Sequence, residues 1–151
     1  DIMVELVEAL FPEATIDAYE IVGSYCPGSY DLSIGGKKFA GISQRRIRRG
    51  IAVQVYLCIE GSGAERAEVI RKFYEAGRGG EDTKFSYPEI QPEVMTSLSE
   101  LLGRDITVPE VVLDLHALLG SPNPMPLQEE EFELYSFYLK RVFDRNEKML
   151  E

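Results

Sequence analysis

The ten residues Ile51 to Glu60, IAVQVYLCIE, alternate without a break. Ile51, Val53, Val55, Leu57 and Ile59 fall on one side; Ala52, Gln54, Tyr56, Cys58 and Glu60 fall on the other. A period of two over that length predicts a strand with one buried face. Such a strand needs partner strands and a layer to cover its apolar side. The segment just upstream, YDLSIGGKKFAGISQRRI, predicts a hairpin. Tyr30 to Ile34 is one arm, Gly35-Gly36 the two-residue turn, and Lys38 to Ile47 the other arm, closed by Gly50. Asp17 to Gly23, DAYEIVG, predicts a further strand.

Helical signals flank this region. Ile2, Leu6 and Leu10 recur at helical spacing before Pro12 stops the run. Ser62 and Glu65 predict a capped helix reaching about Ala76, ahead of Gly77. Pro92 predicts another, ending near Leu102 and Gly103. Thr107 and Glu110 predict a third, through Val111, Leu115 and Leu118. A Pro-rich connector covers residues 120–128, and a helix from about Glu129 presents Phe132, Tyr135, Leu139 and Phe143 on one face. Strands over 17–60 followed by helices over 62–151 predict an α+β fold: a mixed or mostly antiparallel sheet packed with helices. At 151 residues this is one domain or a portion of one.

The net charge is −10, yet Lys37 to Arg49 holds six basic residues and no acid. The other ten basic residues stand against 26 acidic ones. An acidic body argues against nucleic acid as a general partner. The basic island, Arg45, Arg46, Arg48 and Arg49 above all, suits an acidic protein partner or is a solvated strand end. No apolar run reaches a membrane-spanning length. Two cysteines make no disulfide framework, and cytosol is the default compartment.

Cys26 precedes Pro27-Gly28, a turn that can present a thiol at the rim of a sheet. The hairpin folds Lys38 back toward it. A nearby ammonium favours the thiolate and steadies an oxyanion. Strict alternation would put Lys38 on one face with Ala40, Ile42 and Gln44, and Lys37 on the other with Phe39, Gly41 and Ser43. From the residues alone, Cys26 is either a nucleophile or a packing thiol. Cys58 reads as structural, and His116, the single histidine, as a helix-surface or core-edge residue. Gly77 to Gly80, GRGG, follows a helix and fits no phosphate loop. Glu129 to Glu131 suit a helix N-terminus and no metal site.

SYCPGSYDLSIGGKKFAGISQRR followed by GIAVQVYLCIEGSG resembles the octanoyl-[glycine cleavage system H protein]:protein N-octanoyltransferase family, a branch of the biotin/lipoate protein ligase superfamily. The likeness runs from about Tyr19 to Gly63 and extends to KFSYP and SLSELLG. It implies the superfamily's catalytic-domain fold and a cysteine acyltransferase with no cofactor. Cys26 would take an octanoyl group from the H protein as a thioester and pass it to a lysine of lipoyl domains in 2-oxoacid dehydrogenase complexes. Lys38 matches the family's acyl-site lysine, and Gly28, Ser29, Gly41, Gln44 and Gln54 would bind substrate. The family's other pocket motif, a basic residue before a glycine-rich turn, belongs to an N-terminal half not found in this sequence. The expectation is therefore a C-terminal portion of such an enzyme. Competing expectations are an acyltransferase using an acyl carrier protein as donor, an ATP-dependent lipoate ligase, and a non-catalytic module that recognises lipoyl-type domains.

Overall fold

A computed structural model describes residues 2–80, 84 and 86–150. They fall into two compact units, Asp1–Gly120 and Ser121–Glu151. The first holds helix α1 (Ile2–Leu10), strands β1 (Asp17–Ala18), β2 (Asp31–Ile34), β3 (Lys37–Ile47) and β4 (Gly50–Leu57), and helices α2 (Gly63–Arg78), α3 (Leu98–Leu102) and α4 (Val108–Leu118). The second is helix α5, Glu129–Leu150. The fold is α+β. No described helix is long and apolar enough to cross a membrane.

The sheet runs β1-β2-β3-β4, every neighbouring pair antiparallel. The expected hairpin is there. Gly35 and Gly36 take φ 58° and 76°, the left-handed pair that a tight two-residue turn needs. The β2–β3 register then slips. Leu32 pairs with Ala40 but Ser33 pairs with Lys38, so Phe39 is the extra residue of a bulge. Paired residues share a face, so Lys38 and Ala40, two apart, lie on opposite faces. This corrects the expectation that Lys38 shares a face with Ala40, Ile42 and Gln44. The bulge turns Lys38 to the face of Ser33, Asp31 and Gly41 and leaves Lys38, Phe39 and Ala40 all buried.

Leu32, Phe39, Ala40 and Ile59 form the main core with Val7 and Phe11 of the N-terminal segment, Leu98 of α3 and Val111 of α4. Val55 and Leu57 pack against its edge, as the alternation of β4 requires. Beyond them β3 and β4 continue as a two-stranded ribbon, exposed on both faces from Ser43 to Gln54.

Three local expectations need correction. The strand over Asp17–Gly23 is only two residues long, because the Ile21 N–H goes to the Asp31 carboxylate (3.1 Å) instead of a strand partner. α2 runs past Gly77 and stops at Gly79, whose φ of 62° makes it the cap. Pro92 opens just a 3₁₀ turn, Pro92–Val94. The chain then extends because Met95 bridges to Lys38 and the Thr96 N–H donates to the Lys38 carbonyl (3.0 Å), and Ser97 starts α3 with its own capping box. The caps at Ser62 and Thr107 form where expected.

Glu100 ties α2 to α3. Its Oε2 accepts from the N–H of Gly63 (3.2 Å), the N–H of Ser97 (2.9 Å) and the hydroxyls of Thr96 and Ser97. Burial pushes this carboxyl up, but those hydrogen bonds outweigh it and hold the group below the usual carboxylate range.

Candidate active site

The loop from Ile21 to Gly28 runs alongside the bulged start of β3. Cys26 lies at its outer bend, exposed, with φ 48°. A left-handed conformation is unfavourable for a residue with a Cβ, so neighbours must hold it there. Lys38 is that neighbour. It is 2% exposed, and its Nζ lies 2.8 Å from Asp31 Oδ1, 3.1 Å from Ser24 Oγ, 3.1 Å from the Tyr25 carbonyl and 3.0 Å from the Cys26 carbonyl. An ammonium has three protons for these four acceptors, so none is idle. Asp31, equally buried, accepts on its other oxygen from the Ile21 N–H and, at 3.4 Å, from the Ser24 hydroxyl.

Beside this pair lies a cavity of about 670 Å³. Cys26, Pro27, Gly28, Lys38 and Gly41 form one wall. Ile42 of β3, Tyr56 of β4, and Arg66, Val69 and Ile70 of α2 contribute apolar surface and two polar tips. The Tyr25 and Tyr56 hydroxyls are hydrogen-bonded at 2.9 Å. Burial, then the Tyr25 hydrogen bond and the nearby Cys58, push the Tyr56 phenol far above its ordinary value, so it is a neutral hydroxyl at physiological pH. Arg66 donates to the Glu60 carbonyl (2.9 Å) and contacts the Sγ of Cys58. A mostly apolar chamber with a thiol and a buried ammonium at one wall can take an acyl chain and present its carbonyl carbon to sulfur.

Cys26, Gly28, Lys38 and Gly41 therefore come together on one cavity. Ser29 is exposed and does not line it. Gln54 lies on the cavity face of β4 but beyond the wall, opposite Ser43. Gln44 pairs with Val53 on the other face and accepts from Arg46 Nε (3.1 Å). Arg45, Arg46, Arg48 and Arg49 sit at the exposed end of the ribbon, where Arg48 turns the chain with φ 54°. Cys58 is buried, and His116 lies in the last turn of α4, outside the cavity wall.

Sequence reasoning did not reach Asp31, Ser24, Tyr56 or the α2 wall. Arg66, Val69 and Ile70 carry the spacing of a single helix face, a signal that can be read. Asp31 carries none, because its meeting with Lys38 depends on the bulge.

Residues 1–118 match the family model described as the lipoyl protein ligase A/B catalytic domain. Three curated relatives, each named octanoyl-[GcvH]:protein N-octanoyltransferase, are similar along nearly the whole chain. The Lysinibacillus sphaericus (strain C3-41) protein is 64% identical over 157 residues, covering 100% of this chain and 56% of that protein. The Anoxybacillus flavithermus (strain DSM 21510 / WK1) protein is 57% identical, covering 98% and 55%. The Staphylococcus aureus (strain NCTC 8325 / PS 47) protein is 51% identical, covering 99% and 56%. The chain thus spans about half the length of the curated relatives it matches. On the matched domain and the fold that carries it, the chain belongs to the lipoyl protein ligase A/B catalytic domain family.

Proposed function

We propose that this chain carries the nucleophile of an octanoyltransferase that moves an octanoyl group from the H protein of glycine cleavage to lipoyl domains of 2-oxoacid dehydrogenase complexes. The observation that carries the reading is the exposed Cys26, held left-handed at the mouth of an apolar cavity with Lys38 buried behind its backbone. The names of the similar proteins supply the acyl group and the donor.

The chemistry follows in two balanced steps. The Cys26 sulfur attacks the carbonyl of the octanoyl-lysine amide, a C–S bond forms and the C–N bond breaks, and the thiol proton leaves on the released lysine amine. The amine of the receiving lysine then attacks the thioester. A C–N bond forms, the C–S bond breaks, and the proton that the amine gives up returns to sulfur. The two end states are both amides, so the exchange needs no ATP. The thioester between them lies uphill, so the site must lower it and its flanking tetrahedral oxyanions. Lys38 grips the Cys26 carbonyl and so fixes the backbone that presents the thiol to the cavity. The apolar wall of Val69 and Ile70 receives the octanoyl chain.

ATP-free transfer of octanoate from octanoylated H protein to a lipoyl domain, lost in Cys26→Ser, is the expected result. Transfer that requires ATP and free octanoate and survives Cys26→Ser would assign the chain to the ligase branch instead.

The ribbon end adds a docking expectation. Four arginines on a projecting, two-face-exposed hairpin suit an acidic domain. Reversing Arg45, Arg46, Arg48 and Arg49 to glutamate should slow association with a lipoyl domain about tenfold at low salt and flatten its salt dependence. Unchanged association kinetics in stopped flow would reject this role.

A further inference from the structure

One carboxylate ties together the loop that presents Cys26. Asp31 Oδ2 receives the Ile21 N–H at the start of the loop. Asp31 Oδ1 holds Lys38 Nζ, which in turn holds the Tyr25 and Cys26 carbonyls at its end. Ser24, between them, donates to Asp31 and accepts from Lys38. The Asp31 N–H itself closes the following turn by donating to the Gly28 carbonyl (3.1 Å). Cys26 is therefore anchored on both sides by the same residue.

Two successive carbonyls converging on one cation is a bend that extended backbone cannot make, since there they point to opposite sides. The φ of 48° at Cys26 makes that bend. A buried ion pair is seldom the most stable filling for a core site; apolar residues of similar volume serve at least as well. What apolar residues cannot do is grip carbonyls.

From this geometry we infer that Asp31 is a positioning residue for Cys26, acting through Lys38 to hold the Ile21–Cys26 loop closed and the thiol at the cavity mouth. The part of this inference that concerns acyl transfer rests on the function proposed above; the part that concerns the thiol does not. In Asp31→Asn, Lys38 sits among neutral acceptors alone and loses the carboxylate that fixes its ammonium beside the loop carbonyls. The Cys26 region then loses the cation whose Nζ touches its backbone. The other titratable groups facing the cavity are Tyr25, Tyr56 on β4 and Arg66 on α2, and the variant leaves them in place.

The test is the rate of Cys26 alkylation by iodoacetamide between pH 6 and pH 10, read by intact mass and peptide mapping. Wild type, Asp31→Asn and Ser24→Ala are compared with Glu100→Gln, which loosens the α2–α3 tie and leaves the clamp intact. Asp31→Asn should react about five- to tenfold more slowly at pH 7, with a rate profile that departs from wild type. Ser24→Ala should slow by about twofold in the same direction, and Glu100→Gln should follow wild type. A folded Asp31→Asn with the wild-type profile overturns the inference; if that variant does not fold, a wild-type profile in Ser24→Ala overturns it. A slowed Glu100→Gln would do so too, since general loosening would then explain the effect. In parallel, octanoyl thioester formation is followed in each protein. A wild type that takes no octanoyl group sinks the acyl-transfer reading, and the alkylation profiles still judge the clamp.

Discussion

Lys38→Met lowers the stability of the Asp1–Gly120 unit by about 3–5 kcal/mol, the range for removing one partner of a buried ion pair. The magnitude follows from what is left behind. Asp31 is 2% exposed and loses the Lys38 ammonium, keeping the Ile21 N–H and the Ser24 hydroxyl. The Tyr25 and Cys26 carbonyls lose their shared donor as well. Urea titration followed by circular dichroism measures the loss. Pairing Lys38→Met with Asp31→Leu should restore most of it, because an apolar pair no longer strands a charge. A double variant as unstable as the single one would mean that packing volume, not the uncompensated carboxylate, sets the cost.

Gly63→Ala is expected to be worse, exceeding about 4 kcal/mol and abolishing soluble expression. A Cβ on Gly63 would overlap the N, Cα and C atoms of Thr96. These are backbone atoms, and neither side is free to retreat. The Gly63 N–H is bound to Glu100, and the Thr96 N–H is bound to the Lys38 carbonyl. Gly77, later in the same helix, has nothing within 4 Å of its would-be Cβ. Gly77→Ala should therefore stabilise by about 0.5–1 kcal/mol. Similar behaviour of the two variants in thermal unfolding would contradict the close crossing of α2 over Thr96.

The split between what could and could not be read from the sequence has a physical cause. The hairpin turn, the β4 alternation and the caps at Ser62 and Thr107 are local signals, written within four or five residues. Cys26 at its Pro-Gly turn is local too. The bulge at Phe39 is not. It is a register choice made by packing Phe39 and Ala40 together, and it decides that Lys38 meets Asp31 and the loop carbonyls. The truncated first strand has the same origin, since the Ile21 N–H follows Asp31. The 3₁₀ turn after Pro92 carries no local signal because Met95 and Thr96 answer to β3, more than fifty residues away in the chain. Gln44 shows the limit of carrying a site residue over by position: its side chain stays with Arg46, on the face away from the cavity.

The most direct test of the central claim is intact mass spectrometry of the chain after mixing with an octanoyl donor, octanoylated H protein in one arm and a small octanoyl thioester in the other. The account predicts the mass gain of one octanoyl group, removed by hydroxylamine and absent in Cys26→Ser. A wild-type chain that stays unmodified in both arms, or a Cys26→Ser chain that gains the same hydroxylamine-labile mass, would contradict it.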